Sequence, residues 1–389
     1  MTHVLLLLGC AVSIYLACEW FVNAVEWLGV RMKVGRLAVG TILAAAGTAL
    51  PESVVTLVAV LFGSPEHGND IAVGAAMGGP LVVGTIAYGV TGAMLIWRKA
   101  HPRGAAMAGA STDVTTISVT SSVRGSGAGS GAGSGTGSGA EPDEAPIRQS
   151  PAPWSGSGGS DKAGDLTGVD THRLARDQTW FLAIFTVKVT LGLVAFAIKP
   201  WLGLVFFAVY AVYFVKEMSG TGDQASGEDL EPLKLQPGRA VPTTLAVTAQ
   251  ILVTLTIIFG ASQLFVKQLE WAGPALGLPA VVVALLLSPI ATELPEIMNA
   301  IIWVRQGKTQ LALANISGAM MIQATIPSGI GILFTPWKFN VPLMIAGAVT
   351  MASVTYLLWL LRTHRVTAGR LTAAAGFYGV FAVGLVLTL

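Results

Sequence analysis

Two glutamates stand inside apolar runs where charge is costly. Glu52 closes Thr48-Ala49-Leu50-Pro51-Glu52, and Glu296 closes Thr292-Glu293-Leu294-Pro295-Glu296, an offset of 244 positions. The same offset, without a gap, maps Phe21-Val22, Glu26-Trp27 and Gly29 onto Phe265-Val266, Glu270-Trp271 and Gly273. The two halves are therefore copies, each with a Thr-x-Leu-Pro-Glu signature. Proline removes a backbone donor and clashes with the carbonyl four residues back, so each helix should bend or break there and free backbone oxygens. In hydrocarbon, freed carbonyls persist only where they line a cavity or find partners. A carboxylate, a threonine hydroxyl and freed carbonyls form the all-oxygen set that hard cations such as calcium and sodium prefer. In the first copy the carbonyls expected are those near Ala46 and Gly47; in the second, those near Pro289 and Ile290.

Glu293 lies three positions before Glu296 and so on the same helical face. A third carboxylate there would raise divalent affinity or hold a proton. Intramembrane carboxylates are functional by default. Asn315, Ser317 and Gln323 are the polar groups of the apolar run that follows in the second copy, and Thr85 is the nearest hydroxyl in the first. Asn315 and Gln323 can serve as ligands or as interhelical hydrogen-bonding groups.

The elements that must position these groups are membrane helices. The chain of 389 residues is 53% hydrophobic and 11% charged, against about 25% charge in a soluble domain. Apolar runs of bilayer-spanning length recur. The pattern predicts an all-α membrane protein of ten spans, near 3–28, 37–62, 69–97, 178–198, 201–217, 242–266, 278–304, 309–334, 341–361 and 369–388. The first run lacks a basic leader and contains Glu19 and Glu26, so it reads as a retained span rather than a signal peptide. Residues 99–176 carry a Gly/Ser/Ala tract with scattered proline and charge, the composition of a flexible linker. Residues 218–240 form a shorter polar connection. The organisation expected is a first repeat over 1–98 and 177–217, and a second over 241–389. Five spans per copy makes the repeats inverted in topology, an architecture typical of secondary transporters.

Basic residues set the orientation. One side collects Arg31, Lys33, Arg36, Arg98, Lys99, Arg176, Lys216, Arg305, Lys308, Arg362, Arg365 and Arg370; the other has Lys199, Lys267 and Lys338. The first side should be cytoplasmic and hold both linkers. Both termini, Glu66 and Asp70 should lie outside. Trp27 and Trp271 read as interfacial anchors beside Glu26 and Glu270; Lys188 reads first as a snorkelling side chain, with offsetting a carboxylate as the alternative. Cys10 and Cys18 read as small buried residues.

Several chemistries are excluded. Gly307-Lys308-Thr309 lacks the upstream glycine of a phosphate-binding loop, since position 302 is Ile302. Asn315-Ile316-Ser317 fits a glycosylation triplet but lies within an expected span. The five histidines lack metal-ligand spacing. A hydrolase would need a nucleophile with a base, or a metal-binding pair, and neither pattern occurs. The basic residues fall between apolar runs, which gives no nucleic-acid footprint.

Gly-Thr-Ala-Leu-Pro-Glu at 47–52 with Asp-Ile-Ala-Val-Gly at 70–74 resembles the alpha repeat of the sodium/calcium exchanger family. Ala-Thr-Glu-Leu-Pro-Glu at 291–296 with Leu-Ala-Leu-Ala-Asn at 311–315 resembles its partner repeat. The resemblance implies calcium carboxylates at Glu52 and Glu296 and ion ligands at Thr48 and Thr292. It implies a cation antiporter, exchanging calcium for sodium or protons by alternating access across the plasma membrane, with no enzymatic activity and no cofactor. Its partners would be small inorganic cations and the lipid bilayer, with no obligate protein partner. Spans two, three, seven and eight would form the ion core, and spans one and six would slide against it. The chain departs from the family pattern at five places. The family serine is Ala49 in one copy and Glu293 in the other. The family asparagine is Ala75 in the first copy but Asn315 in the second. The Gly-Ser-Asn run is Gly78-Gly79-Pro80 and Gly318-Ala319-Met320. A monovalent sodium/proton exchanger and a non-transporting ion-binding paralogue are the alternatives.

Overall fold

The computed structural model describes residues 2–31, 44–101, 166, 169–195, 197–218, 230–305, 307 and 309–388. Among them every regular element is helical. Most of the expected linker 99–176, residues 219–229, and the basic residues Lys33, Arg36 and Lys308 lie outside the described residues.

Helix α1 (Thr2–Arg31) is followed by α2 (Ala44–Phe62) and by α3 (Gly68–Ala100). Then come α4 (Thr171–Leu193) and a 3-10 turn at Lys199–Leu202 that leads into α5 (Gly203–Met218). Helix α6 (Thr244–Leu276) opens the second half. It is followed by α7 (Ala280–Thr292), α8 (Leu294–Arg305), α9 (Thr309–Phe334), α10 (Val341–Arg362), α11 (Ala368–Ala373) and α12 (Ala375–Val386). Among the described residues, eight helical segments are long and apolar enough to cross a bilayer, with α7–α8 counting as one of them.

Helices α1 and α6 pack along each other, and their outer faces expose large apolar residues such as Leu5, Leu8, Val12, Leu245 and Leu252. In water such a surface would aggregate; against acyl chains it costs nothing. Helices α3 and α9 are the most enclosed. Helix α3 packs on α7 and α11, α9 packs on α2 and α5, and α4 packs on α10.

Small residues make the central packing close. A Cβ at Gly74 would lie 2.7 Å from the Val281 carbonyl oxygen, and one at Gly78 would lie 2.9 Å from Pro289 Cγ. Glycine lets α3 and α7 meet at backbone distance. Pro80 lies inside α3, and a π turn at Val83–Ala87 follows it. A lost amide hydrogen bond is a recognised origin of such irregular turns.

Three expectations about local structure are corrected. Helix α2 runs through Pro51 without a break, whereas its counterpart is interrupted at Glu293 between α7 and α8. Pro295 sits in the first turn of α8, where a missing N–H is tolerated. The Pro289 carbonyl is not freed: it accepts the Glu293 amide at 2.9 Å. The prolines instead remove the amides that would pair with Leu285 and Ala291, four residues back. Helix α4 begins at Thr171, well before the expected start near 178.

The connection before α6 is more than a polar spacer. Leu233 is fully buried beside Trp27 and Val247. Asn23 Oδ1 accepts the Lys234 amide (3.0 Å), Gln250 Oε1 accepts the Leu235 amide (2.7 Å), and Trp27 Nε1 donates to the Glu231 carbonyl (2.9 Å). Trp27 is thus buried against this segment and is not an exposed interfacial anchor. Trp271 remains partly exposed and stacks on His3 at 4.2 Å between ring centroids. Cys10 and Cys18 are free and buried, as expected.

Candidate cation site

Helix α2 carries Glu52 into the centre of the molecule. Its side chain is fully buried, and neither carboxylate oxygen has a hydrogen-bond partner among the described residues. Gly79 of α3 lies directly against it: a Cβ there would sit 2.6 Å from Glu52 Cδ. Space for this carboxylate therefore depends on position 79 having no side chain. The helix also places Thr48 one turn before Glu52, although the Thr48 side chain lies outside the described residues.

Glu296 occupies the first turn of α8 and is also fully buried. Amide groups at a helix N-terminus favour negative charge. Helix α8 packs on α2 and on α1, the helices that carry Glu52 and Cys18. The two signature carboxylates, 244 residues apart, are thus carried on helices that pack together, with Glu293 at the junction of α7 and α8 and Lys188 anchored on α3.

Glu293 caps α7 and is clamped. Thr292 Oγ1 lies 2.7 Å from its Oε1, and Gln323 Nε2 donates to its Oε2 at 2.5 Å. Thr292 Oγ1 is also 3.2 Å from the Ser288 carbonyl, so its one proton has two acceptors to choose between. Gln323 keeps a buried Oε1 without a partner. Asn315, on α9, is fully buried with neither amide atom hydrogen-bonded. Among the described residues, no three His, Cys, Asp or Glu side chains converge as a metal centre.

Polar atoms stranded in a protein interior cost roughly 1–3 kcal/mol each. Such atoms on Glu52, Asn315 and Gln323 lie on α2 and α9, which pack together. Their chemistry is a carboxylate and two amide oxygens, a hard-cation donor set.

Residues not singled out in the sequence belong to the same neighbourhood. Thr56 lies one turn after Glu52 and Ser288 one turn before Thr292; both hydroxyls are buried without partners. Their i, i+4 spacing from the signature was the available signal. Lys188 departs from the first of its two expected roles. It is fully buried, donates from Nζ to the Ala76 carbonyl at 3.0 Å, and lies 4.6 Å from the Phe185 ring centroid. No snorkelling occurs.

The sodium/calcium exchanger protein family profile matches residues 2–128 and 246–388, well over half of the chain. Among curated proteins none matches. The fold resembles that of the H+/Ca2+ exchanger CAX, with a TM-score of 0.64 and 15% identity over 99% of this chain and 86% of that one. It also resembles the sodium-calcium exchanger NCX_Mj, with a TM-score of 0.56 and 15% identity over 98% of each chain.

Proposed function

The chain belongs to the sodium/calcium exchanger protein family, and from that premise we propose a secondary cation antiporter that exchanges calcium for sodium or protons by alternating access. The observation that supports the reading is the pair of buried signature carboxylates on helices that pack together, with both Glu52 oxygens left without a hydrogen-bond donor among the described residues. Calcium takes 6–8 oxygen ligands at about 2.3–2.6 Å. Glu52 and Glu296 would supply the charge, and Asn315, Gln323, Thr48 and Thr292 the neutral oxygens. Glu293, held by Thr292 and Gln323, adds charge nearby. The cations are substrates; no cofactor enters the cycle, and energy comes from an ion gradient.

Ten spans in two inverted repeats account for the packing. Exchange residues 1–217 for 241–389 and the helix pairs map onto each other. The α1–α6 and α4–α10 pairs map onto themselves, α2–α9 maps onto α3–α7, and α5–α9 maps onto α3–α11. Two related halves facing each other produce this crosswise pattern, and five spans per half makes them antiparallel. In this arrangement α2, α3, α7, α8 and α9 form the core against which α1 and α6 slide. The bias of basic residues supports a reading with both connections in the cytoplasm and both termini outside, and we take the membrane to be the plasma membrane. Within the expected linker 99–176, Leu174 of α4 is buried in the core and Leu166 and Val169 pack against it; we read 102–165 as a connection without a core of its own.

The test is flux. Purified protein in liposomes, loaded in turn with sodium, potassium or a proton gradient, should take up external calcium only with its coupling ion inside. Calcium uptake equal under all three conditions, or none at all, would refute exchange.

A further inference from the structure

The buried lysine on α4 has a structural reason to be where it is. In an α-helix the Ala76 carbonyl should accept from residue 80, but residue 80 is Pro80, which has no N–H. Lys188 Nζ takes that vacant place at 3.0 Å. The lysine backbone is held in turn, because Trp337 Nε1 donates to its carbonyl at 3.0 Å. Three residues on from Ala76 in α3, Gly79 lies directly against the Glu52 carboxylate, and no counter-charge lies on the lysine's own helix within a turn. A cation has therefore been built covalently into the first-copy half of the site, on a carbonyl that a proline has released. The second copy has Met320 at the matching position and Glu293 hydrogen-bonded to Gln323 instead.

We propose that Lys188 is a resident counter-cation of the transport site that sets its charge, and hence its exchange ratio. With all four groups ionised, Glu52, Glu293 and Glu296 would supply three negative charges and Lys188 would bring the sum to minus two. A site of that charge is neutralised by one divalent or by two monovalent cations. Exchange is then electroneutral, and a membrane potential does not drive it. Without the ammonium the site carries minus three and holds three monovalent cations against one calcium, so each cycle moves one charge. This inference rests on the exchange reading above.

The test replaces charge and anchor separately. Lys188→Met alone strands the Ala76 carbonyl and could fail to fold. The Pro80→Ala/Lys188→Met pair restores the backbone amide, so the carbonyl no longer needs the ammonium. Liposomes clamped at 0 and −100 mV with potassium and valinomycin are scored for steady-state calcium accumulation. Wild type and Pro80→Ala should be insensitive to voltage. The double variant should accumulate about fiftyfold less calcium at −100 mV inside, the effect of one charge crossing that potential. A double variant as insensitive as wild type, or a wild type already voltage-driven, overturns the proposal and leaves Lys188 a structural prop. A second readout does not require transport. Thermal melting in sodium chloride against N-methylglucamine chloride, at constant ionic strength, should show added sodium stabilisation in the double variant relative to wild type. If wild-type vesicles move no calcium, the exchange reading falls and melting still decides the lysine: an identical sodium dependence in both proteins rejects it.

Discussion

A single methyl group added at Gly79 should separate folding from transport. In the structure a Cβ at this position would lie 2.6 Å from Glu52 Cδ and Oε2 and 2.7 Å from Oε1, while ordinary contact begins near 3.4 Å. The carboxylate must therefore retreat by about 0.8 Å in Gly79→Ala. Because the obstructing atoms end a flexible side chain, the fold should absorb the change at the usual overpacking cost of about 1–3 kcal/mol. A bound cation is less forgiving. Lengthening one carboxylate–calcium contact from ~2.4 to ~3.2 Å, at an effective dielectric of about 20, weakens the attraction by ~3 kcal/mol. That corresponds to a loss of about a hundredfold in apparent calcium affinity. The assay is initial calcium uptake into liposomes over a range of calcium concentrations, with melting of the same preparation as the folding control. The pair Gly79→Ala/Glu52→Asp withdraws the carboxylate by one methylene and should recover part of the lost affinity. Wild-type affinity in folded Gly79→Ala would refute the argument that Glu52 binds the ion where the structure holds it.

Glu296→Gln and Glu52→Gln should each abolish calcium flux while leaving a folded protein, checked by melting of the same preparations, since an unpaired buried carboxylate is itself costly. Unaltered flux in Glu296→Gln would sink the transport mechanism. Glu293→Gln should lower apparent calcium affinity if Glu293 ligates the ion, and change the pH dependence of flux if it carries a proton; wild-type behaviour in both assays rejects both roles. Replacing most of residues 102–165 with a short flexible linker should leave basal flux intact, and complete loss of flux with normal membrane insertion would show that the segment does more than connect.

Membrane class, the duplication and the signature carboxylates were legible in the sequence because each is a local or periodic property. Apolar length reports span capacity, a fixed offset reports a repeat, and a glutamate in an apolar run is conspicuous wherever it folds. Tertiary structure decided the partners. Hydropathy sees only the lysine's own helix, so it favours snorkelling for Lys188 over offsetting a carboxylate. Its acceptor is a carbonyl on α3, 112 residues earlier, which is exposed only because Pro80 lacks an amide. Trp27 looked like an interfacial anchor by its place near a span end, yet a segment more than 200 residues later covers it. The i, i+3 spacing put Glu293 and Glu296 on one face, but the helix breaks at Glu293 itself, which frees the side chain to meet Gln323. Spacing rules hold only while a helix is continuous, and a buried polar group takes whichever partner the packing of distant helices brings within about 3 Å.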